Sequence, residues 1–199
     1  MLLWINNSLT PQEIQERLMS KDSEFQKEII GYFESMHQGE FIDTTLEEVK
    51  CYLNAVEKDP EYAPPTMVLP DPAPDCKCLE CQGDGECHIV HSWWEKFRTR
   101  VNDILACTNI HQCKNVWLEK CKARFPREYR TETAVDQEGH IFFRHMEPNL
   151  NTITSALTYM LGCNTDVSNL QSGTSIKAVL MYITDYITKI LSSYIVYFK

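Results

Sequence analysis

The chain has 199 residues, 43% of them hydrophobic and 24% charged, with a formal net charge of −9. That size and balance suit one modest folded domain with a small appendage, and they exclude a disordered tail. The longest apolar run, at residues 190–198, is too short for a bilayer and contains two serines, and no basic residue precedes Arg17. The expectation is an intracellular protein, nuclear or cytoplasmic, with no membrane span and no secretory signal.

Charge is unevenly spread. Residues 1–91 carry 18 acidic and 6 basic side chains, whereas residues 92–199 carry 10 and 13. Any surface that meets nucleic acid therefore belongs in the second half, most of all between Trp93 and Arg130, where 9 basic residues face 4 acidic ones. A plain solvated face is the alternative.

In chain order, residues 2–5 form a strand-type apolar run. Thr10-Pro11-Gln12-Glu13 starts a helix: Thr caps, Pro suits the first helical position, and Glu completes a capping box. Ile14 and Leu18 give it an apolar stripe. Ser23 opens a second helix with Phe25, Ile29, Phe33 and Met36 on one face and Gly39 as its stop. Thr45-Leu46-Glu47-Glu48 repeats the capping box, and Leu46, Val49 and Leu53 follow at helical spacing. These helices have acidic outer faces and carry no evident chemistry.

Residues 59–75 hold six of the nine prolines and read as a linker, unable to form a regular helix or an interior strand. A cysteine-rich loop follows. Ser92-Trp93-Trp94-Glu95 opens a fourth helix to about Leu105, with Trp94, Phe97, Val101, Ile104 and Leu105 on its apolar side. Residues 130–135 and 140–145 are strand-like around a turn at Asp136–Gly139. Residues 154–161 suit a short helix and 165–170 a strand. Residues 174–191 suit a long helix, on the spacing of Ile176, Val179, Leu180, Ile183 and Ile187. The expected architecture is α+β: a small antiparallel sheet with covering helices, an acidic helical segment and a Cys-rich loop. Its divisions are 1–58 (strand and acidic helices), 59–91 (Pro-rich linker and Cys-rich loop) and 92–199 (core).

Nine cysteines, an odd number with no signal before them, argue against a disulfide framework. Cys76, Cys78, Cys81 and Cys87 have metal-ligand spacing. His111, Cys113 and Cys121 could close a zinc site with two of the earlier cysteines, Cys78 and Cys81 being the candidates. Buried or free thiols are the alternative. Catalytic zinc is disfavoured, because no H-E-x-x-H motif occurs. A nucleophilic Cys107 beside His111 has no further support.

Lys122, Arg124, Phe125 and Arg127 form a basic segment around an aromatic ring, suited to phosphates and a stacked base, or to an ordinary solvated loop. Tyr182 and Tyr186 lie four residues apart and share one face of the expected helix, with Lys189 a turn beyond Tyr186. A phenol, with its ordinary pKa near ~10, attacks a phosphodiester only where a cation or metal lowers that value. Half-buried packing is the competing role.

Taken in order, His111-x-Cys113, Cys121-Lys-Ala-Arg-Phe-Pro-Arg127, Thr133-Ala-Val-Asp136-Gln-Glu-Gly139-His-Ile-Phe-Phe-Arg144, Asn151, Cys163-Asn-Thr-Asp166, Ser175-Ile-Lys-Ala178 and Tyr182-Ile-Thr-Asp-Tyr186-Ile-Thr-Lys189 resemble the replication-initiator, or helicase-like, domain of Helitron transposon proteins. Fungal copies are the nearest in kind, and the likeness is strongest from His111 to Lys189. It implies a rolling-circle transposase that nicks and joins single-stranded DNA. By motif match Tyr182 and Tyr186 would be the nucleophiles and Lys189 the catalytic basic residue. A divalent Mg or Mn ion would be held by a His-hydrophobic-His strand, and a helicase is expected on full-length relatives.

This sequence departs from that pattern. It has no His-hydrophobic-His pair, the stretch from Cys113 to Cys121 is short, and no phosphate-binding G-x-x-x-x-G-K-S/T loop occurs. Leu2-Leu3-Trp4-Ile5 looks like the continuation of the metal-binding strand. His88 and His91 are three apart, which places them on opposite faces of a strand. The expectation is an N-terminally truncated, inactive fragment that retains single-strand binding. The alternative is a zinc-stabilised protein- or nucleic-acid-binding module without catalysis.

Overall fold

A computed structural model describes residues 9–20, 23–75, 87–113, 121, 123–168, 180–181 and 183–184. Among the described residues lie the α-helices α1 (Pro11–Met19), α2 (Ser23–Met36), α3 (Leu46–Val56), α4 (His88–Ile104) and α5 (Ser155–Leu161). Two short strands, β1 (Ala134–Val135) and β2 (Ile141–Phe142), pair in an antiparallel sheet, so the fold is α+β. No helix among the described residues is long and apolar enough to cross a membrane. The chain divides into two compact units: Met1–Ile30 with Val135–Phe142 and Asn169–Lys199, and Gly31–Ala134 with Phe143–Ser168.

In the first unit the capping box at α1 forms as its residues dictate. The Glu13 amide donates to Thr10 Oγ1 at 3.2 Å, and the Thr10 amide donates to the Glu13 carboxylate at 2.7 Å. Leu18 is buried, the Gln26 amide side chain donates to its carbonyl at 2.6 Å, and Arg17 lies 5.3 Å over the Phe25 ring. The turn after β1 is tied by Asp136, whose carboxylate accepts from the amides of Glu138 (2.8 Å) and His140 (2.9 Å). Gly139 takes φ +79° there, a conformation that a side chain would strain.

The second unit holds the larger core. A second capping box at Thr45 starts α3, and Leu46, Val49 and Leu53 are all buried on its inner face. They pack with Phe97 and Val101 of α4, Leu105, Leu150, Ile153 and Tyr159. The inward stripe of α4 runs Trp93, Phe97 and Val101 in steps of four and continues to Leu105 in the turn that follows. Trp93 sits 5.4 Å from Phe97 and 5.8 Å from Tyr159, ring centre to ring centre. Trp94, one residue on, is turned 100° away and is 47% exposed, against the sequence expectation. The helix also starts at His88, four residues earlier than expected, and a π-helical turn, Leu105–Asn109, extends its end.

The proline segment 59–75 contains no regular helix or strand, yet it is fastened down. Arg100 donates to the carbonyls of Pro65 (2.7 Å) and Val68 (2.6 Å), while the Tyr159 hydroxyl donates to the carbonyl of Asp71 (2.8 Å). Isolated bridges join Gln38 to Ile153, Ile110 to Leu150 and Arg130 to His145. Regular pairing in the 130–145 hairpin is confined to β1 and β2, shorter than the strand-like runs. Residues 165–168 form no strand; the Val167 amide donates to the carbonyl of Thr152 (2.9 Å), the Thr152 hydroxyl donates to the carbonyl of Val167 (2.7 Å), and Asn109 holds the Thr165 carbonyl. The expected strand at 2–5 and most of the expected helix at 174–191 lie outside the described residues.

Candidate metal centre

The π-helical turn delivers the chain into an extended segment. Asn109 anchors the turn from inside: its amide nitrogen donates to the Thr165 carbonyl at 2.7 Å, and its oxygen accepts from Thr108 at 2.8 Å. Beyond it the Ile110–Leu150 bridge forms, and the His111 amide donates to the carbonyl of Asn149 at 2.7 Å. His111 is thereby set at the end of a strand-like piece, with Cys113 two residues on. Two residues along an extended chain share one face, so imidazole and thiol point the same way.

Cys121 supplies the third donor. The Arg124 amide donates to the Cys121 carbonyl at 2.9 Å, with Arg124 at φ +62°. This tight turn aims peptide amides at the sulfur. The Phe125 amide above all, then those of Ala123 and Arg124 and the Cys113 thiol, hold the Cys121 thiol below its ordinary pKa. Cys121 Sγ lies 3.2 Å from His111 Nε2, and the donor atoms of His111, Cys113 and Cys121 all lie within 4.8 Å of one another. Tetrahedral coordination at zinc-like bond lengths of about 2.0–2.3 Å separates neighbouring donors by about 3.5–3.8 Å. The three residues can hold a metal ion.

Around these donors the aromatic and basic residues are ordered as a stack. The Phe125 ring lies on the His111 ring at 4.2 Å with an interplanar angle of 9°, and the Arg127 guanidinium lies 4.5 Å from the centre of the Phe125 ring. The Arg127 amide donates to the carbonyl of Pro148 at 2.7 Å, which fixes the chain leaving the stack. Arg124 is exposed beside it.

Of the site residues expected from sequence, the structure thus brings together His111, Cys113, Cys121, Phe125 and Arg127. Lys122, Cys78, Cys81, Tyr182, Tyr186 and Lys189 lie outside the described residues. A second group, Asp136, Glu138 and His140, was not expected from sequence. All three are exposed, and the backbone amide of His140, more than any other partner, holds the Asp136 carboxyl below its ordinary pKa. Those bonds are the ones that shape the turn, and they leave the group without an enclosed pocket.

Two further histidines are notable for their burial. His145 is 6% exposed and packs on Gly39, where an added Cβ would fall 2.0 Å from Nδ1. His37 lies against the Phe143 ring at 4.4 Å. His37 Nδ1, Gln38 Oε1 and His145 Nε2 are buried with no hydrogen-bond partner among the described residues. Burial holds both imidazoles below their ordinary pKa. No signal in the local sequence distinguishes these two from surface histidines.

Compared with protein-family models, curated proteins and solved structures, the chain shows no match to any of them.

Proposed function

We propose that the chain is a zinc-stabilised domain of the Helitron replication-initiator type that binds single-stranded DNA. The observation that carries this reading is the convergence of His111, Cys113 and Cys121 under the Phe125–Arg127 stack, inside the stretch of sequence that bears the family likeness. Two thiols and an imidazole are the donor set that zinc takes in structural sites, and Cys78 and Cys81 are the sequence candidates for the remaining position. Zinc bound there would fix the turn that presents Arg124, Phe125 and Arg127. Their guanidinium groups suit phosphate oxygens, and the ring suits a base.

Tyr182 and Tyr186 are the proposed nucleophiles of the family reaction, with Lys189 as their basic neighbour. The 199 residues contain no His-hydrophobic-His pair to hold a catalytic ion. A metal contributes several kcal/mol to such a transition state, so these residues alone are proposed to bind without cutting.

The test measures zinc content and the anisotropy of a labelled oligothymidylate from 50 to 200 mM salt. Expected are about one zinc per chain and binding that weakens steeply with salt. Loss of a phosphate contact in Arg127→Ala should flatten that slope by about one unit. No binding at 50 mM salt sinks the DNA reading. A covalent adduct formed with Mn²⁺ and abolished by Tyr182→Phe or Tyr186→Phe would overturn the inactive one.

A further inference from the structure

A pocket of about 250 Å³ opens between α3 and α4, away from the cysteine–histidine cluster. One wall is apolar, made by Ile42, Val49 and the Tyr52 ring. At its base lies Asp103, only 5% exposed. Asn102 is spent on the Ile42 peptide, accepting from its amide at 2.9 Å and donating to its carbonyl at 3.0 Å. Asp103 has no hydrogen bond or ion pair with any described residue.

The obvious counterion does not serve it. Arg98 lines the same pocket, but its guanidinium is held by Asp43 at 2.8 Å and by Glu95 at 2.7 Å. Glu48, also in the lining, is held by Thr44 and the Thr45 amide in the capping box. The lining therefore holds four carboxyl side chains and one guanidinium, with the most buried carboxyl, that of Asp103, unpaired among the described residues. Burial pushes the Asp103 carboxyl up to about 6, so it is ionised at neutral pH at a cost that an incoming cation would relieve.

We propose that this pocket binds a primary alkylammonium group, with Asp103 as its counterion and the Ile42–Val49–Tyr52 wall against its alkyl stem. The choice among cations follows from the lining. A hard divalent ion takes about six or more oxygen ligands, whereas here one carboxylate stands at the base and the others are held at the mouth. A guanidinium calls for a bidentate partner and a wider slot. An ammonium on a short stem needs one carboxylate, an apolar wall and a ring face, and all three are present. At ~30 Å³ per water-sized group, the 250 Å³ space holds about eight such groups, room enough for an ammonium on a short alkyl stem.

A small amine and a lysine side chain offer this same group, and separate probes distinguish them. Isothermal titration of the full chain at pH 7.5 would use n-butylammonium, Nα-acetyl-lysine methylamide and, as a neutral isostere control, butan-1-ol. Binding of both cations assigns recognition to the alkylammonium alone. Binding of butylammonium only points to a free amine, and of the lysine derivative only to a lysine side chain. In each case butan-1-ol should bind at least tenfold more weakly, and Asp103→Asn should weaken the cation at least tenfold. Thr99→Arg, at an exposed position in the lining, places a competing cation at the mouth and should weaken it similarly. That variant decides the matter should Asp103→Asn not fold. Failure of both cations to bind, or unchanged affinity in the folded variants, overturns the proposal.

Discussion

Asn102 and Asp103 are adjacent and both buried, yet their chemistry is opposite. Asn102 satisfies both ends of the Ile42 peptide. Replacing it with Ala strips an amide and a carbonyl of their partners and should destabilise the domain by about 2 kcal/mol in urea titrations. Asp103 is instead a buried acid whose folded-state pKa is raised. The folded chain holds that proton more tightly than the unfolded chain, so the penalty is present above about pH 6 and is relieved as pH falls toward 4. Asp103→Asn should therefore stabilise the chain at pH 8 by up to about 3 kcal/mol and have little effect near pH 4. His37 and His145 act in the other direction. Their folded-state values are depressed, so the stability they contribute is present above the ordinary imidazole range and is lost as pH falls below it. The difference in stability between the parent chain and His37→Phe should change across pH 7 to 5, with the parent losing more on acidification. Gly39→Ala forces the His145 ring to move, because its Cβ meets Nδ1 at 2.0 Å, and circular dichroism melts should show a clear loss of stability.

Among the elements, the helices divide by how local their instructions are. α1 and α3 each begin at a Thr with Glu three residues on, and both capping boxes form as read. Thr45→Ala removes a cap on a core helix and should cost about 1 kcal/mol, measurable by chemical denaturation. Thr10→Ala should matter less to the large core, since α1 lies in the other unit. α4 shows where local reading falls short. Two tryptophans in sequence offer two stripes a third of a turn apart; both rings touch Phe97, and packing on Tyr159 selects Trp93. The proline segment is similar. Its composition forbids regular structure, but Arg100 gives it a fixed course. Arg100→Ala should release the carbonyls of Pro65 and Val68 and raise the rate of limited proteolysis within residues 59–75.

For the whole molecule, the proposed zinc links the cysteine–histidine cluster to stability. Ligands must be deprotonated to bind, so chelation at pH 7 should lower the melting temperature, and protons should be released on reloading. Cys121→Ser should remove that dependence, because Cys121 is the donor around which the turn is built. A chain whose melting temperature ignores both chelator and added zinc would count against the metal reading.

Sequence by itself determined the features that depend on neighbours along the chain. These are the α+β class, the capped starts of α1 and α3, the buried Leu46–Val49–Leu53 stripe, the short helix near residue 155 and the breaking of structure by clustered prolines. It also grouped His111, Cys113 and Cys121, because thiol and imidazole spacing is a local signal. Only the tertiary structure decided which tryptophan turns inward, that residues 165–168 form no strand, that Phe125 and Arg127 stack on His111, and that Asp103 is stranded at the base of a pocket. The reason is physical. Caps and stripes are set by distances of three or four residues, whereas burial, charge pairing and ring stacking are set by groups brought together from far along the chain.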